Sequence, residues 1–509
     1  MIGKNLIANL LSNVWGIVSV FLFVPLYIQF LGIESYGLVG FYAILIGFLS
    51  LADLGFSATL KRELARVSVS PNSAHEMREI LRTYEVLYGL ISLLISIIVW
   101  FIAPLITEYW LTSTVIKPNE ITLAIRLMGI CIALQLPAGL FIGGLMGLQR
   151  QVLANSLNIG IGMLRGFGAV LVLWLINPSI FAFFTWQLIS NVVYLLLARS
   201  SLWREISTDT MNRKVNFSWQ VLRSTGRFAL GMASISLIGV LLTQSDKLIV
   251  SKFSTLEMFS YYTIAGSLAS LPIILVGALG SAVFPRFTEL VELSNLAQME
   301  KIYKTSTEIV GIILIPAGLL LLFFSGEFIF AWTGSNLIAD QAKVTASLLL
   351  GGQILQSITV VPYNLAIAHG SVRFSQKIGV FSVLIITPLL IFLTMKYGVV
   401  GAGMSWLILN IFALPVNIYF LHKQELSNSK MLMDSIRGVI RPLIITLPIL
   451  LVYKHFLPYT ASRMAIIGEL TFIWVITFIL SLLSFPNILS IVLREKKKIY
   501  KLVVKSTEL

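Results

Sequence analysis

The sequence predicts an all-α, polytopic membrane protein with about fourteen transmembrane helices. Three observations indicate this class: 57% of the 509 residues are hydrophobic, only 12% are charged, and the apolar residues fall in long uninterrupted runs. Soluble domains carry about 25% charged residues. Lipid must therefore cover much of this chain, and lipid requires a helix or a closed barrel, in which every backbone polar group is bonded. Because the runs do not alternate polar and apolar residues as barrel strands do, helices are predicted.

Each apolar run is long enough to cross a hydrocarbon core of about 30 Å. The first run follows Lys4 and is too long for the apolar part of a secretory signal peptide, so it is predicted to be the first membrane helix. The predicted helices cover residues 6–30, 36–57, 84–107, 121–148, 152–176, 179–199, 226–251, 259–284, 306–326, 343–369, 377–396, 399–421, 439–457 and 463–485.

Lysine and arginine are distributed unevenly over the segments between these helices. With the N-terminus in the cytoplasm and charges at the helix ends counted with the adjoining side, 28 of the 37 fall on the inner side, 6 on the outer side and 3 deeper within helices. Cytoplasmic segments of membrane proteins are enriched in these residues. The sequence therefore predicts a multi-pass membrane protein with an even number of helices and both termini in the cytoplasm. The net charge of +14 is then a sign of topology and of contact with the lipid bilayer, and no nucleic-acid partner is expected.

The two halves of the chain resemble each other at an offset of about 223 residues. Residues 33–36 (I-E-S-Y) align with residues 256–259 (L-E-M-F), and Gly147 aligns with Gly370. An offset of six helices predicts a parallel repeat about an axis along the membrane normal, with a cavity between the halves and alternating access. The predicted parts are an N-terminal six-helix lobe (1–199), a cytoplasmic linker (200–224), a C-terminal six-helix lobe (225–422), and two extra helices with a basic cytoplasmic tail (423–509).

Three segments resemble motifs of a known family. They are L-A-D-L-G-F at residues 51–56, followed by K-R-E at 61–63; Q-S-D-K-L at 244–248; and F-P-R at 284–286. In this order, they resemble the end of the second helix, the seventh-helix motif and the end of the eighth helix of O-antigen or polysaccharide repeat-unit flippases (Wzx type). These belong to the multidrug/oligosaccharidyl-lipid/polysaccharide exporter superfamily, and the resemblance covers nearly the whole chain.

The resemblance implies a flippase that carries an undecaprenyl-pyrophosphate-linked oligosaccharide from the cytoplasmic to the outer face of the inner membrane. It also implies the polysaccharide polymerase and the chain-length machinery as candidate partners in polysaccharide and lipopolysaccharide biosynthesis.

Arg165 is the clearest charged residue inside a predicted helix. An arginine at the centre of a membrane helix costs about 2.5–3.5 kcal/mol on insertion scales, so it usually faces a cavity. Arg165 lies about 20 Å along its helix, near the midplane. Its fork of N–H donors suits pyrophosphate. The alternative is an arginine that makes interhelical hydrogen bonds and packs against carbonyl groups on a glycine face, since its neighbours are Gly160, Gly162, Gly166 and Gly168.

Four further charged residues are candidates for the substrate site or cavity lining. Asp53 is predicted to gate the cavity, couple a cation or pair with a basic residue, or else to cap its helix or pair with Lys61 or Arg62. Asp246 and Lys247 lie near the outer end of the predicted seventh helix, where an interfacial pair with a snorkelling lysine is the alternative. Arg126, near the outer end of the fourth, has the same alternative of snorkelling to the interface.

No catalytic, metal or cofactor site is predicted. Cys131 lies alone in an apolar run, the four histidines lack ligand spacing, and no phosphate-binding G-x-x-x-x-G-K-[ST] loop is present. Proton or sodium coupling stays open, as does the sugar, which scattered polar groups such as Gln135, Asn158, Gln187 and Asn364 would recognise. A cation-coupled multidrug extruder of the same superfamily is the first alternative. A membrane polymerase or glycosyltransferase is the second, disfavoured by the short outer segments.

Overall fold

The computed structural model describes residues 2–68, 73–206, 216–370, 372–421, 429–456 and 462–490. Over these residues the chain is helical throughout, with no strand beyond an isolated bridge between Thr112 and Thr255, so the predicted all-α class is confirmed. The seventeen helices of the described part are α1 (Ile2–Leu31), α2 (Ile33–Ala52), α3 (Phe56–Val67), α4 (Ser73–Tyr109), α5 (Pro118–Gly147), α6 (Gln151–Leu175), α7 (Ile180–Ile206), α8 (Trp219–Phe253), α9 (Leu256–Ala269), α10 (Leu271–Glu292), α11 (Leu296–Phe323), α12 (Ser325–Thr333), α13 (Asn336–Ile358), α14 (Val360–Ala368), α15 (Val372–Leu421), α16 (Ser429–Phe456) and α17 (Arg463–Leu483).

Eleven helical stretches in the described ranges are long and apolar enough to cross a membrane, judged by length and composition. Three of them, Leu256–Glu292, Asn336–Ala368 and Gly379–Tyr419, join elements that a short break or kink divides. Apolar side chains also cover outer surfaces: Leu93 and Phe101 on α4 are 59% and 73% exposed, as expected where lipid replaces water. The protein is therefore a multi-pass membrane protein, while the expected number of fourteen spans stays a prediction.

Two breaks depart from the predicted helices. The predicted helix 36–57 ends early because Leu54 and Gly55 take positive φ angles of 49° and 73°, which separate α2 from α3. A Cβ on Gly55 would lie 2.5 Å from the Cβ of Met232 on α8, so the turn also needs glycine for close packing. In α15, Gly398 (φ 60°, ψ −141°) interrupts the helix between the predicted spans 377–396 and 399–421.

The chain divides into two compact units, Met1–Thr263 and Ile264–Leu509. The core of the first unit joins α3, α4, α5 and α7 around buried aromatic residues, with Tyr84, Tyr88 and Phe141 nearly inaccessible. Glycine allows close approach here, since a Cβ on Gly144 would collide with Leu202 of α7. The tight packing holds the polar residues of α6 and α7 in a fixed register.

The second unit is built around α11, which packs against α10, α13, α16 and α17. At the crossing of α11 and α16, Gly311 meets the main-chain carbonyl of Gly438, and a Cβ there has no room. Buried Tyr303 and Ser435 share a hydrogen bond of 2.6 Å between their hydroxyl groups at the same crossing. The predicted pair of extra helices, α16 and α17, is thus part of the core of this unit.

The unit boundary lies within α9, later than the predicted lobe boundary at 225. Helix ends nevertheless repeat along the chain: α1 and α8 end 222 residues apart, and α2 and α9 begin 223 residues apart. The predicted linker 200–224 is partly helical, because α7 continues to Ile206 and α8 begins at Trp219, while residues 207–215 lie outside the described ranges. The predicted lobes, linker and tail remain predictions.

Candidate functional site

Arg165 lies between α6 and α7 in the first unit. Its Nη2 donates a hydrogen bond to Oδ1 of Asn191 on α7, and the guanidinium carbon lies 5.2 Å from the centre of the Tyr194 ring. Asn191 is fully buried and Tyr194 is 8% exposed, while Arg165 is half-buried. The spacing of three residues places Asn191 and Tyr194 on one face of α7, so both meet the same side chain.

The positive charge of Arg165 has no carboxylate partner in the part of the chain that the structure describes. None of the ion pairs there involves it. Its Nε is a buried donor without an acceptor among the described residues. Unpaired buried donors and an uncompensated charge are costly, and such groups commonly mark a site that binds something. This arrangement can accept an anion.

The glycines around Arg165 serve helix packing. A Cβ on Gly162 would lie 2.5 Å from the Trp15 indole nitrogen, and one on Gly166 would collide with the Phe23 ring, both on α1. The acceptor that Arg165 finds is the side-chain amide of Asn191 rather than a main-chain carbonyl of the glycine face. The bond joins α6 to α7, as expected for the structural alternative of an arginine that makes interhelical hydrogen bonds, although its acceptor is a side-chain amide. The pyrophosphate role and the structural alternative both stay predictions.

Amide side chains continue along the same helix. Asn158 accepts a hydrogen bond of 2.8 Å from the hydroxyl of Tyr194, which links it to the Arg165 cluster. Towards the start of α6, Asn155 donates to Asn9 of α1 at 2.5 Å, and Asn9 donates to Gln151 at 3.4 Å. Of the polar residues expected to contact sugar, Asn158 is thus the one whose hydrogen bonds reach this cluster. Gln187 is buried, and the side-chain carbonyl oxygen of Gln135 is buried without a hydrogen-bond partner among the described residues. Asn364 donates a hydrogen bond to the carbonyl of Val360 on its own helix.

Asp53 ends α2 and anchors the break before α3. It accepts hydrogen bonds from the hydroxyl of Ser57, from the Ser57 main-chain N–H at 3.4 Å and from the hydroxyl of Tyr88 on α4 at 2.5 Å. No ion pair among the described residues involves Asp53. The bonds from Ser57 are those of a cap at the start of α3, and the gating or coupling role stays a prediction.

Asp246 and Lys247 on α8 point to different partners. Asp246 Oδ2 accepts a hydrogen bond of 2.6 Å from Tyr262 on α9, and its Oδ1 is buried without a donor. Lys247 Nζ donates to Gln244 Oε1 at 3.5 Å. The two neighbours therefore do not form the expected interfacial pair with each other.

Arg126 is half-buried beside Trp100 of α4. Its Nε donates to the Trp100 carbonyl at 3.3 Å, and its guanidinium carbon is 4.7 Å from the centre of the indole ring. Trp100 is itself 43% exposed on the apolar surface of α4. This geometry matches an arginine anchored at a lipid-facing surface. No hydrogen bond or ion pair recorded for the described residues joins any two of the five candidates.

The sequence did not single out Glu34 as a functional residue, yet its buried carboxylate holds the segment between α4 and α5. Its two oxygens accept the main-chain N–H groups of Thr114 at 2.6 Å and Val115 at 2.9 Å. The same segment meets the junction of α8 and α9: the N–H of Leu256 donates to the carbonyl of Thr112 at 2.9 Å. These three hydrogen bonds, two to the Glu34 carboxylate and one between main-chain groups, hold this segment in one conformation.

The second unit contains an apolar cavity of about 220 Å³. It lies beside the crossing of α11 and α16, with Thr307 and Ser435 as its polar residues and aliphatic side chains such as Val310, Ile358 and Ile436 around it. None of the five candidate residues lines it. In the described part of the chain no cluster of three potential metal ligands occurs.

A family model for polysaccharide biosynthesis proteins matches residues 2–291 of the chain. The protein belongs to this family. A putative O-antigen transporter of Shigella flexneri is 23% identical over 383 residues, which cover 74% of this chain and 87% of the relative. The predicted resemblance to polysaccharide flippases is therefore confirmed, and the chain belongs with transporters rather than enzymes.

Two solved structures share the fold. One is the lipid II flippase MurJ in an inward closed conformation, with a TM-score of 0.72 and 14% identity over 95% of this chain and 99% of that one. The other is a multidrug resistance MATE family transporter of the MOP superfamily in an inward-facing conformation. Its TM-score is 0.69, with 14% identity over 82% of this chain and 95% of that one. At these identities the likeness concerns the fold alone.

Proposed function

We propose that this polysaccharide flippase moves an undecaprenyl-pyrophosphate-linked oligosaccharide from the cytoplasmic to the outer face of the inner membrane by alternating access. Both termini would lie in the cytoplasm, as the distribution of Lys and Arg predicts. The polymerase and chain-length machinery would receive the product. The family and the O-antigen transporter that the chain resembles support a polysaccharide cargo.

The observation that supports a pyrophosphate-linked substrate is the uncompensated charge of Arg165. A half-buried guanidinium without a carboxylate partner among the described residues is tolerable when water or an anion reaches it. Pyrophosphate is a dianion or trianion rich in oxygen acceptors, and the planar fork of arginine binds two such oxygens at once. The half-buried position of Arg165 leaves part of its side chain accessible to such a ligand.

A cation-coupled multidrug extruder is the second candidate, and Asp246 is the observation that favours it. A buried carboxylate oxygen without a donor suits a proton or a sodium ion. The fold shared with the MATE transporter allows the same function. The two candidates differ in cargo, so a direct assay of the cargo separates them.

Complementation of a strain that lacks its own polysaccharide flippase tests the proposed function. Surface polysaccharide is resolved on a gel, and resistance to cationic drugs is measured in the same strain. Restored polysaccharide without drug resistance supports the flippase. Drug resistance without restored polysaccharide would favour the extruder.

Replacement of Arg165 tests the proposed ligand contact. Arg165→Lys keeps the charge but loses the fork and should export poorly, and Arg165→Ala should reduce export about tenfold or more. The reason is that a hydrogen bond to a charged group contributes roughly 1.5–3 kcal/mol. Surface polysaccharide is measured per unit of membrane-inserted protein, and Arg126→Ala is the control, since Arg126 stacks on an exposed tryptophan. Normal export by Arg165→Ala, or a loss that only follows loss of protein, would make Arg165 structural.

A further inference from the structure

The hydrogen-bond partner of Arg165 is an amide, where a buried arginine is ordinarily paired with a carboxylate. We propose that Asn191 is a positioning residue that orients Arg165 and, because it carries no charge, leaves the positive charge free to bind an anionic phosphate ligand. The inference rests on the proposed function and assigns the residue that makes the site selective for anions.

The geometry supplies more than one donor at the site. Asn191 Oδ1 accepts from Arg165 Nη2, so the amide plane holds one edge of the guanidinium. The Nε of Arg165 remains a buried donor without an acceptor, and the amide of Asn191 also lies within hydrogen-bonding reach of the Tyr42 hydroxyl and the Cys131 thiol. A phosphate group offers several acceptor oxygens to the guanidinium, whereas a cation would be repelled by it.

The ring of Tyr194 packs against the face of the Arg165 guanidinium. The ring centre is 5.2 Å from the guanidinium carbon, a cation–π distance, and the Tyr194 hydroxyl is committed to Asn158. The side chain is therefore held by an amide at its edge and a ring at its face. Neither contact neutralises its charge, since both partners are uncharged.

The other groups near Asn191 are also uncharged at neutral pH. Tyr42 of α2 and Cys131 of α5 approach it closely, and phenol and thiol groups are both protonated in this range. The cluster therefore carries a net charge of one, from Arg165. A carboxylate at position 191 would cancel it with almost no change of shape.

Asn191→Asp is the decisive variant because Asp matches Asn in size and differs in charge. We expect its affinity for farnesyl pyrophosphate to fall by about ten- to a hundredfold, since the new charge repels the ligand and pairs with Arg165. Its melting temperature should stay equal or rise, because the new ion pair replaces a neutral bond. Asn191→Ala should lose both some affinity and some thermal stability. The control is Asn155→Asp, the same change at a buried amide of α6 that bonds to Asn9 instead.

Binding is measured on purified protein in nanodiscs, with farnesyl pyrophosphate, inorganic pyrophosphate and farnesol as probes. Binding of the prenyl pyrophosphate alone identifies a lipid-linked ligand, and equal binding of inorganic pyrophosphate identifies the anion itself as the ligand. If Asn191→Asp binds as tightly as the wild type, or loses affinity only as its melting temperature falls, the inference about Asn191 is wrong while the flippase function stands. If the wild type binds neither pyrophosphate, both the inference and the proposed substrate are wrong.

Discussion

The segment between α4 and α5 depends on one carboxylate, so Glu34→Gln should loosen it selectively. A glutamine offers one acceptor oxygen where glutamate offers two, and its NH₂ group would face one of the N–H groups of Thr114 and Val115. A hydrogen bond to a charged group is worth roughly 1.5–3 kcal/mol. At about 1.4 kcal/mol for each factor of ten, local opening should become about ten- to a hundredfold more frequent.

Amide hydrogen exchange, followed by mass spectrometry on peptides that cover residues 110–117, measures this opening. The matched control is Glu257→Gln at the position that the predicted repeat aligns with Glu34. Among the described residues its carboxylate accepts a hydrogen bond of 2.7 Å from Tyr261 of its own helix. Exchange at Thr114 and Val115 should rise in Glu34→Gln and stay unchanged in the control. A change below about twofold, or an equal rise in both variants, would refute the reasoning.

Two further predictions concern stability. Gly311→Ala should lower the melting temperature strongly, because its Cβ would overlap the carbonyl of Gly438 and overpacking of a core costs about 1–3 kcal/mol or more. The control is Gly468→Ala, where a Cβ meets nothing within 4 Å and the melting temperature should stay unchanged. Tyr88→Phe removes one donor to Asp53 and should cost about 1–2 kcal/mol in unfolding experiments, with export per inserted protein retained; a loss of export at unchanged stability would instead indicate that the Asp53 cluster takes part in transport.

Hydropathy predicted the helical class because every backbone polar group of a membrane span must be hydrogen-bonded within the protein, and a helix achieves this at each residue. It did not predict the break after Asp53, since positive φ angles at Leu54 and Gly55 depend on the packing against α8. The sequence also offered only the nearby residues Lys61 and Arg62 as structural partners of Asp53. Ser57 is close in the chain, whereas Tyr88 comes from another helix.

The candidate site was predicted in part. Arg165 was found because a charge inside an apolar run is conspicuous in the sequence. Its partners were not, since Asn191 and Tyr194 meet it only through the rotation of α7 about its axis, which local patterns do not determine. Arg126 illustrates the alternative that the sequence left open, because a charge near a helix end can stack on the surface, as Arg126 does on Trp100. Its place in the substrate site stays a prediction.

The junction of the α4–α5 segment with the α8–α9 turn uses main-chain atoms of Thr112, Thr255 and Leu256. A contact of this kind makes no demand on side-chain identity beyond the exclusion of proline at its donor. It can therefore persist while nearly every surrounding residue is replaced during evolution. A main-chain contact of this kind is compatible with a fold that is shared at 14% identity.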